Sequence, residues 1–260
     1  MIDDLLVLPS HLRERLATAL ETGVLPLPPP PAALQAVLGF RRDLDRIGVV
    51  LGVFAEWGLN GPAAAAWLRA AAKVESRMPK PDLVWSGPEV PGLFARDTRQ
   101  VYDQLLGAAT HSLWVSTYAF FDGPKAFDVL ARRMDDLPDI EVVLLLNIQR
   151  KRGDTSTRED LVRRFATRFW SVDWPGARRP RVYYDPRALE PDGPGGVLHA
   201  KAVVADGEAL FMTSANLTEA ALDRNIELGM LVRDRALAHT VIGYFQGLID
   251  RDRLLLLPGH

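Results

Sequence analysis

Residues 140–148, "IEVVLLLNI", run through five consecutive apolar positions, 142–146, with no polar residue among them. Side chains of a strand point alternately to opposite faces, so an unbroken apolar run needs cover on both sides. Such a strand belongs inside a layered α/β domain. The segments around it follow the same plan. "SLWVSTYAF" (112–120), "RVYYD" (181–185), "VLHAKAVVA" (197–205), "EALFMTSAN" (208–216) and "IELGMLV" (226–232) read as strands. Between them, "TRQVYDQLLGAA" (98–109) with Asp97 at its cap, "PKAFDVLARRMDD" (124–136) opened by Pro124, a charged stretch at 157–170 and "DRALAHTVIGYFQGLID" (234–250) read as helices. The expectation is a layered α/β sheet with helices on both faces, spanning 81–260.

Residues 1–80 follow a different pattern. "SHLRERLATALE" carries apolar residues at 12, 16 and 20 behind a serine at a plausible N-cap. "PLPPPP" (26–31) reads as a stiff connector. Apolar-rich stretches follow at 32–57 and 62–76, the second opened by Pro62. "RMPKPDLVWSGPEVPG" (77–92), rich in proline and glycine, reads as the boundary. A small N-terminal helical region, 1–80, is therefore expected before the α/β domain. The chain has 260 residues and no cysteine, which excludes disulfides, thiolate metal sites and cysteine nucleophiles. The acidic start "MIDDLLVLPS" lacks a basic and apolar leader pattern, and a soluble cytoplasmic protein is expected.

Charge is balanced overall, 31 basic against 33 acidic residues, but uneven locally. Between 149 and 190 stand eleven Lys and Arg against six Asp and Glu, a surplus of five. Open α/β sheets bind ligands beyond the carboxyl ends of their strands. The loop "QRKRGDT" directly follows an apolar strand, which makes Arg150, Lys151 and Arg152 candidates for contact with a nucleic-acid backbone. Tyr118 and Phe120, at the end of the neighbouring strand, are candidates for base stacking. A solvated helix face explains the charge surplus equally, and core packing explains the aromatics.

The most informative stretch is "VLHAKAVVADG" (197–207). His199 and Lys201 are two apart and share a strand face. Asp206-Gly207 reads as a two-residue hairpin turn, which would set His199 opposite Ser214 and Lys201 opposite Met212, with Asn216 diagonal to His199. Asn225 and Glu227 share a face of the next strand. An imidazole, an ammonium, a hydroxyl, a carboxamide and a carboxylate on one face suit a phosphodiester. Lys201, Ser214 and Asn216 would hold its oxygens, neutral His199 would attack phosphorus, and Glu227 would fix the imidazole tautomer. The alternative is that "TSANLTEAA" merely caps a helix.

H-x-K-x4-D, S-x-N and N-x-E, here "HAKAVVAD", "TSAN" and "NIE", resemble the signature of the phospholipase D superfamily. The resemblance covers most of 81–260. It implies a metal-independent phosphodiesterase with no cofactor and a covalent phosphohistidine on His199, with Lys201, Ser214 and Asn216 holding phosphate and Glu227 orienting the histidine. Asp206 is part of the same catalytic signature, although the hairpin reading gives it a structural task. Thr213 stands where the family most often has glycine.

The motif occurs once, and the reaction needs a second histidine as general acid. Single-motif members resemble small bacterial endonucleases that form homodimers, so a two-fold dimer with the active site at its axis is expected. "DLVWSGPEV", "RDT", "WPGARRPRVYYDPR", "LHAK" and "RNIE" further resemble the phospholipase D-like component of DISARM antiphage defence systems, which implies helicase and methyltransferase partners. The expected function is a nuclease acting on DNA or RNA. The alternatives are an accessory nucleic-acid-binding or scaffold subunit, or a phospholipid hydrolase or transferase. The lipid reading lacks a membrane-binding segment in its support.

Overall fold

A computed structural model describes residues 3–39, 42–190 and 196–259, except the side chains of Asp3 and Arg77. The chain divides into two compact units, Met1–Met78 and Pro79–His260.

The first unit is helical: α1 (Asp3–Leu6), α2 (Ser10–Glu21), α3 (Pro31–Leu38), α4 (Leu44–Glu56) and α5 (Gly61–Arg77). Their apolar stripes meet in one core that includes Leu16, Leu20, Ile47, Leu51 and Phe54. Ser10 lies inside the first turn of α2, and Pro9 holds the N-cap position. The stretch expected at 32–57 is two helices, because α3 ends at Gly39, whose φ of +78° only glycine adopts readily. α5 starts as its sequence suggests, with the Asn60 side chain accepting from the Ala63 N–H and Pro62 in the first turn.

The second unit is built on a nine-stranded sheet in the order β2-β1-β8-β7-β6-β3-β4-β5-β9. The strands are β1 (Asp82–Ser86), β2 (Arg96–Asp97), β3 (Ser112–Thr117), β4 (Glu141–Leu146), β5 (Arg181–Tyr184), β6 (Ala202–Ala205), β7 (Ala209–Thr213), β8 (Glu227–Val232) and β9 (Leu255–Leu256). β3, β4 and β5 run parallel, joined through α7 (Gly123–Asp136) and α8 (Arg158–Arg168), whereas β6, β7 and β8 form an antiparallel meander. α6 (Thr98–Ala108) precedes β3, with Asp97 capping it through the Gln100 N–H. A short α9 (Glu219–Asp223) precedes β8, and α10 (Arg235–Ile249) follows it.

β4 lies between β3 and β5 and is buried on both faces, as its apolar run requires. Val142, Leu144 and Leu146 join a core formed with α6, α7 and α8. Val143 and Leu145 join a second core on the opposite face, under Val241, Ile242 and Phe245 of α10. The expected helices thus cover both faces of the central strands. Over β1, β8 and β7 the α10-side face carries Leu83, Leu228, Met230 and Met212, each at least 40% exposed. β1 was not foreseen: it lies inside the proline- and glycine-rich stretch that reads as a boundary, yet pairs with β8 and β2.

Candidate active site

The carboxyl ends of β3 and β7 and the amino ends of β6 and β8 lie at one end of the sheet, because β6 is antiparallel to β3 and β7 is antiparallel to both its neighbours. His199 and Lys201 precede β6 there. The strand itself is only Ala202–Ala205, so both side chains stand on extended chain rather than within the ladder expected for 197–205. Ser116 Oγ ties this lead-in to β3 by donating to the Ala200 carbonyl at 2.9 Å.

The His199 ring is exposed and lies against Tyr118, centroids 4.7 Å apart. Lys201 Nζ stands 3.1 Å from His199 Nδ1, donates to the His199 carbonyl at 3.0 Å and lies 5.7 Å from the Tyr118 ring centroid. Burial lowers the Lys201 pKa from its ordinary value, and the Glu227 carboxylate opposes that shift. The Glu227 charge therefore reaches the ammonium without bonding to it.

The hairpin differs from expectation by one residue. Asp206 and Gly207 both adopt positive φ, and the Glu208 N–H donates to the Ala205 carbonyl, as in a two-residue turn. Ala205 then pairs with Ala209, which leaves Glu208 as an extra residue on one side. Lys201 is consequently bonded across to Thr213, whose N–H donates to the Lys201 carbonyl at 3.1 Å, instead of facing Met212.

Thr213 also ends β7. Its Oγ1 accepts from the Ala215 N–H at 3.0 Å, a local turn after which the Ser214 N–H still reaches across to the Leu228 carbonyl at 3.0 Å. Ser214 Oγ then accepts the Leu228 N–H at 3.1 Å and donates to Glu227 Oε2. Asn225 Nδ2 donates to Glu227 Oε1 at 3.2 Å. The Glu227 carboxylate is therefore held by Ser214 and Asn225, and no direct hydrogen bond joins it to His199. Asn216 Oδ1 accepts from the Ala119 N–H at 3.2 Å, which fixes the carboxamide so that Nδ2 is its remaining donor. Thr117, fully buried, completes this junction by accepting from the Leu217 N–H at 3.2 Å and donating to the Ala119 carbonyl.

The structure thus brings His199, Lys201, Ser214, Asn216 and Glu227 to one end of the sheet, and sets Asp206 at the other. Five residues of strand, about 16 Å, separate it from Lys201. Its carboxylate accepts backbone N–H bonds from Thr110 (2.9 Å), His111 (2.7 Å) and Ser112 (2.9 Å), so it anchors the entry to β3 and does not reach the histidine.

Arg150 is likewise turned to structural work, donating to the carbonyls of Leu189, Asp154 and Ser156 at 2.7–2.8 Å. Most of the basic surplus is also engaged internally, for example Arg164 with Asp154, Arg168 with Asp173 and Arg187 with Asp185. Lys151 and Arg152 are exposed and have no partner among the described residues. Phe120 packs edge-on against Phe127, Phe165 and Phe169 and is a core residue. Sequence reasoning missed Thr117 and Ala119 and met Thr213 only as a departure from the family's glycine; a threonine at each strand end was the available signal.

The profile of the family described as cardiolipin synthase, PLD-like domain, matches residues 102–249. No curated protein matches the chain. Among solved structures, similarity is found to Nuc, a phospholipase D family member from Salmonella typhimurium, at 17% identity and TM-score 0.44, covering 68% of this chain and 97% of that one. NucT from Helicobacter pylori is 14% identical, with TM-score 0.47, 68% of this chain and 99% of that one covered. The phosphatidylserine synthase of Haemophilus influenzae is 16% identical, with TM-score 0.46, 76% of this chain and 48% of that one covered. Among the described residues no single helix is long and apolar enough to cross a membrane.

Proposed function

This chain belongs to the PLD-like domain family described for cardiolipin synthase, and from that premise we propose that it is a nuclease that cleaves phosphodiesters through a phosphohistidine on His199. The observation that carries the reading is the meeting of His199 and Lys201 with the Ser214–Glu227–Asn225 chain and the tethered Asn216 at one sheet end. A phosphate oxygen bound to Lys201 Nζ draws the ammonium off the imidazole and neutralises charge as it develops. The Asn216 Nδ2 donates to a second oxygen, and Ser214 turns its single hydroxyl hydrogen from Glu227 to a third as the phosphate binds. A ring nitrogen of His199 attacks phosphorus; a P–N bond forms, the P–O bond to the leaving nucleotide breaks, and that oxygen takes a proton from a general acid. Water then attacks phosphorus, giving a proton back to the group that had acted as general acid; the P–N bond breaks, and a phosphate monoester is released.

The general acid is assigned to His199 of a second copy, in a two-fold dimer whose axis passes the site. The uncovered face of β1, β8 and β7 supports this assignment. Leu83 and Met212 both pair with Met230, and Leu228 directly follows Glu227, so the apolar strip runs up to the site. The resemblance of "RVYYDPR" and "RNIE" to the DISARM component supports the further proposal of a role in antiphage defence, beside helicase and methyltransferase partners.

The test incubates the protein with labelled single- and double-stranded DNA and RNA in EDTA, beside His199→Ala. Cleavage in EDTA that is lost in the variant is the expected result. Cleavage that needs a divalent metal or survives the substitution refutes the mechanism. Release of headgroups from phospholipid vesicles, with nucleic acids left intact, would move the substrate to lipid.

A further inference from the structure

β5 pairs with β4 so that Leu145 lies beside Tyr183, and two residues further on Asn147 and Asp185 leave their strands at the site end of the sheet. Asp185 is only 2% exposed. A buried carboxylate is costly unless compensated, and here the compensation comes from Arg187: its N–H at 2.9 Å, Nε at 3.0 Å and Nη2 at 2.7 Å. The Arg187 side chain is nonetheless 63% exposed, and its Nη1 has no partner among the described residues. Its guanidinium lies over Gly196, where a Cβ would stand 3.1 Å from Cζ. Gly196 is three residues before His199, a span of at most about 10 Å.

Capping of the short turn at Pro186–Leu189 accounts for the Asp185 bond to the Arg187 N–H, not for the guanidinium seated on the same carboxylate. Nor does the arginine complete the core. The buried acceptor in this corner, Asn147 Oδ1, has no hydrogen-bond partner among the described residues and is left unmet by it. A rigidly seated, outward-facing guanidinium beside a phosphodiester site matches a second anionic oxygen.

We propose that Arg187, seated on Asp185 and held against Gly196, binds the phosphate next to the scissile one, so that the site selects a polynucleotide strand over an isolated phosphodiester. This rests on the phosphodiesterase reading above. Arg187 is then a specificity residue, and Asp185 a positioning residue that fixes its reach.

The experiment compares kcat/KM for a trinucleoside diphosphate with that for a dinucleoside monophosphate. The expected ratio in the native protein is about tenfold, the worth of one charge-assisted hydrogen bond. In Arg187→Gln it falls to about one, and the salt dependence on a longer single strand loses about 0.7 of log–log slope. Asp185→Asn lowers the ratio through KM while retaining the salt slope, because the charge remains but its seat is lost. A native ratio near one, or a ratio unchanged in Arg187→Gln, overturns the proposal. If neither compound is cleaved, the phosphodiesterase reading fails instead. The affinities of the two compounds for the native protein and for Arg187→Gln, measured by calorimetry, then decide this one by the same ratio.

Discussion

Replacing Asp206 by asparagine, glycine or alanine separates the scaffold from the chemistry, because its carboxylate is bonded to three consecutive backbone N–H groups at the sheet end away from His199. A bond to a charged acceptor contributes about 1.5–3 kcal/mol when isolated from water. The Asp206 side chain retains 19% of its exposure and water can reach Thr110 and His111, so about 1 kcal/mol per bond is the better figure. Glycine should then cost about 3 kcal/mol, and asparagine, which keeps one neutral acceptor oxygen, about 1–2 kcal/mol. Alanine should cost about 1 kcal/mol more than glycine, because Asp206 sits at a φ of +53°, which asparagine and glycine tolerate and alanine does not.

Hydrogen exchange at the Thr110, His111 and Ser112 amides reads these costs locally, at about tenfold faster exchange per 1.4 kcal/mol. The pH dependence follows from linkage. Burial alone would raise the Asp206 pKa, but the N–H groups of Ser112, Thr110 and His111 outweigh it and the folded value is lowered. A lowered carboxylate pKa gives stability that is present above the unfolded value of about 3.9 and lost as pH falls through the folded one. The gap between native protein and Asp206→Asn should therefore close as the medium is acidified below about pH 4. Unchanged amide protection in Asp206→Asn at neutral pH would refute the anchoring account. So would loss of turnover in variant protein that is still folded, since that would return Asp206 to the catalytic group.

The remaining loops and faces give sharper contrasts. Arg150→Ala should loosen residues 150–156 and speed their amide exchange, since three carbonyls lose their donor. Replacing Lys151 and Arg152 together should leave folding intact and reduce the salt slope of single-strand binding by about 1.4, at about 0.7 per phosphate contact. Met230→Asp puts a charge in the middle of the exposed apolar strip and should shift sedimentation from dimer to monomer and abolish turnover; activity as a monomer would sink the shared site. Glu227→Gln removes the charge that supports the Lys201 ammonium, so the alkaline limb of kcat/KM should move to lower pH. A limb that stays in place would show that Lys201 does not set it.

The layered fold was legible because β4 has no polar side from Val142 to Leu146, and a strand of that kind has no stable place outside a covered sheet. β1 was hidden because its five residues stand among prolines and glycines, and its stability comes from pairing with β8 some 140 residues away in sequence, a tertiary contribution that local pattern does not carry. The basic strip misled for a related reason. Charge counting cannot tell an arginine facing solvent from one such as Arg150 or Arg178, whose guanidinium closes loops by donating to main-chain carbonyls.

The residues that meet at this sheet end were singled out by type and spacing, yet the feature that arranges them was not. With an ordinary two-residue hairpin, Lys201 would face Met212, whose side chain lies on the α10 side with Leu210. Glu208 adds one residue to the β7 side of the turn, and a one-residue shift exchanges the faces of everything beyond it. Lys201 therefore meets Thr213, on the same side of the sheet as Val203 and Phe211. Because Thr213 turns the chain with its own hydroxyl, Ser214 keeps only its N–H bond to the Leu228 carbonyl across the ladder and brings Oγ to the Leu228 N–H and to Glu227. A glycine at 213 would remove that hydroxyl and lower the barrier to straightening the strand. Thr213→Gly should thus weaken the Ser214–Glu227 contact more than it weakens the fold. The readout is a fall in kcat with little change in thermal midpoint, and Thr213→Ser, which keeps the hydroxyl, should restore the rate. Equal loss in the serine and glycine variants would show that the turn at Thr213 does not position Ser214.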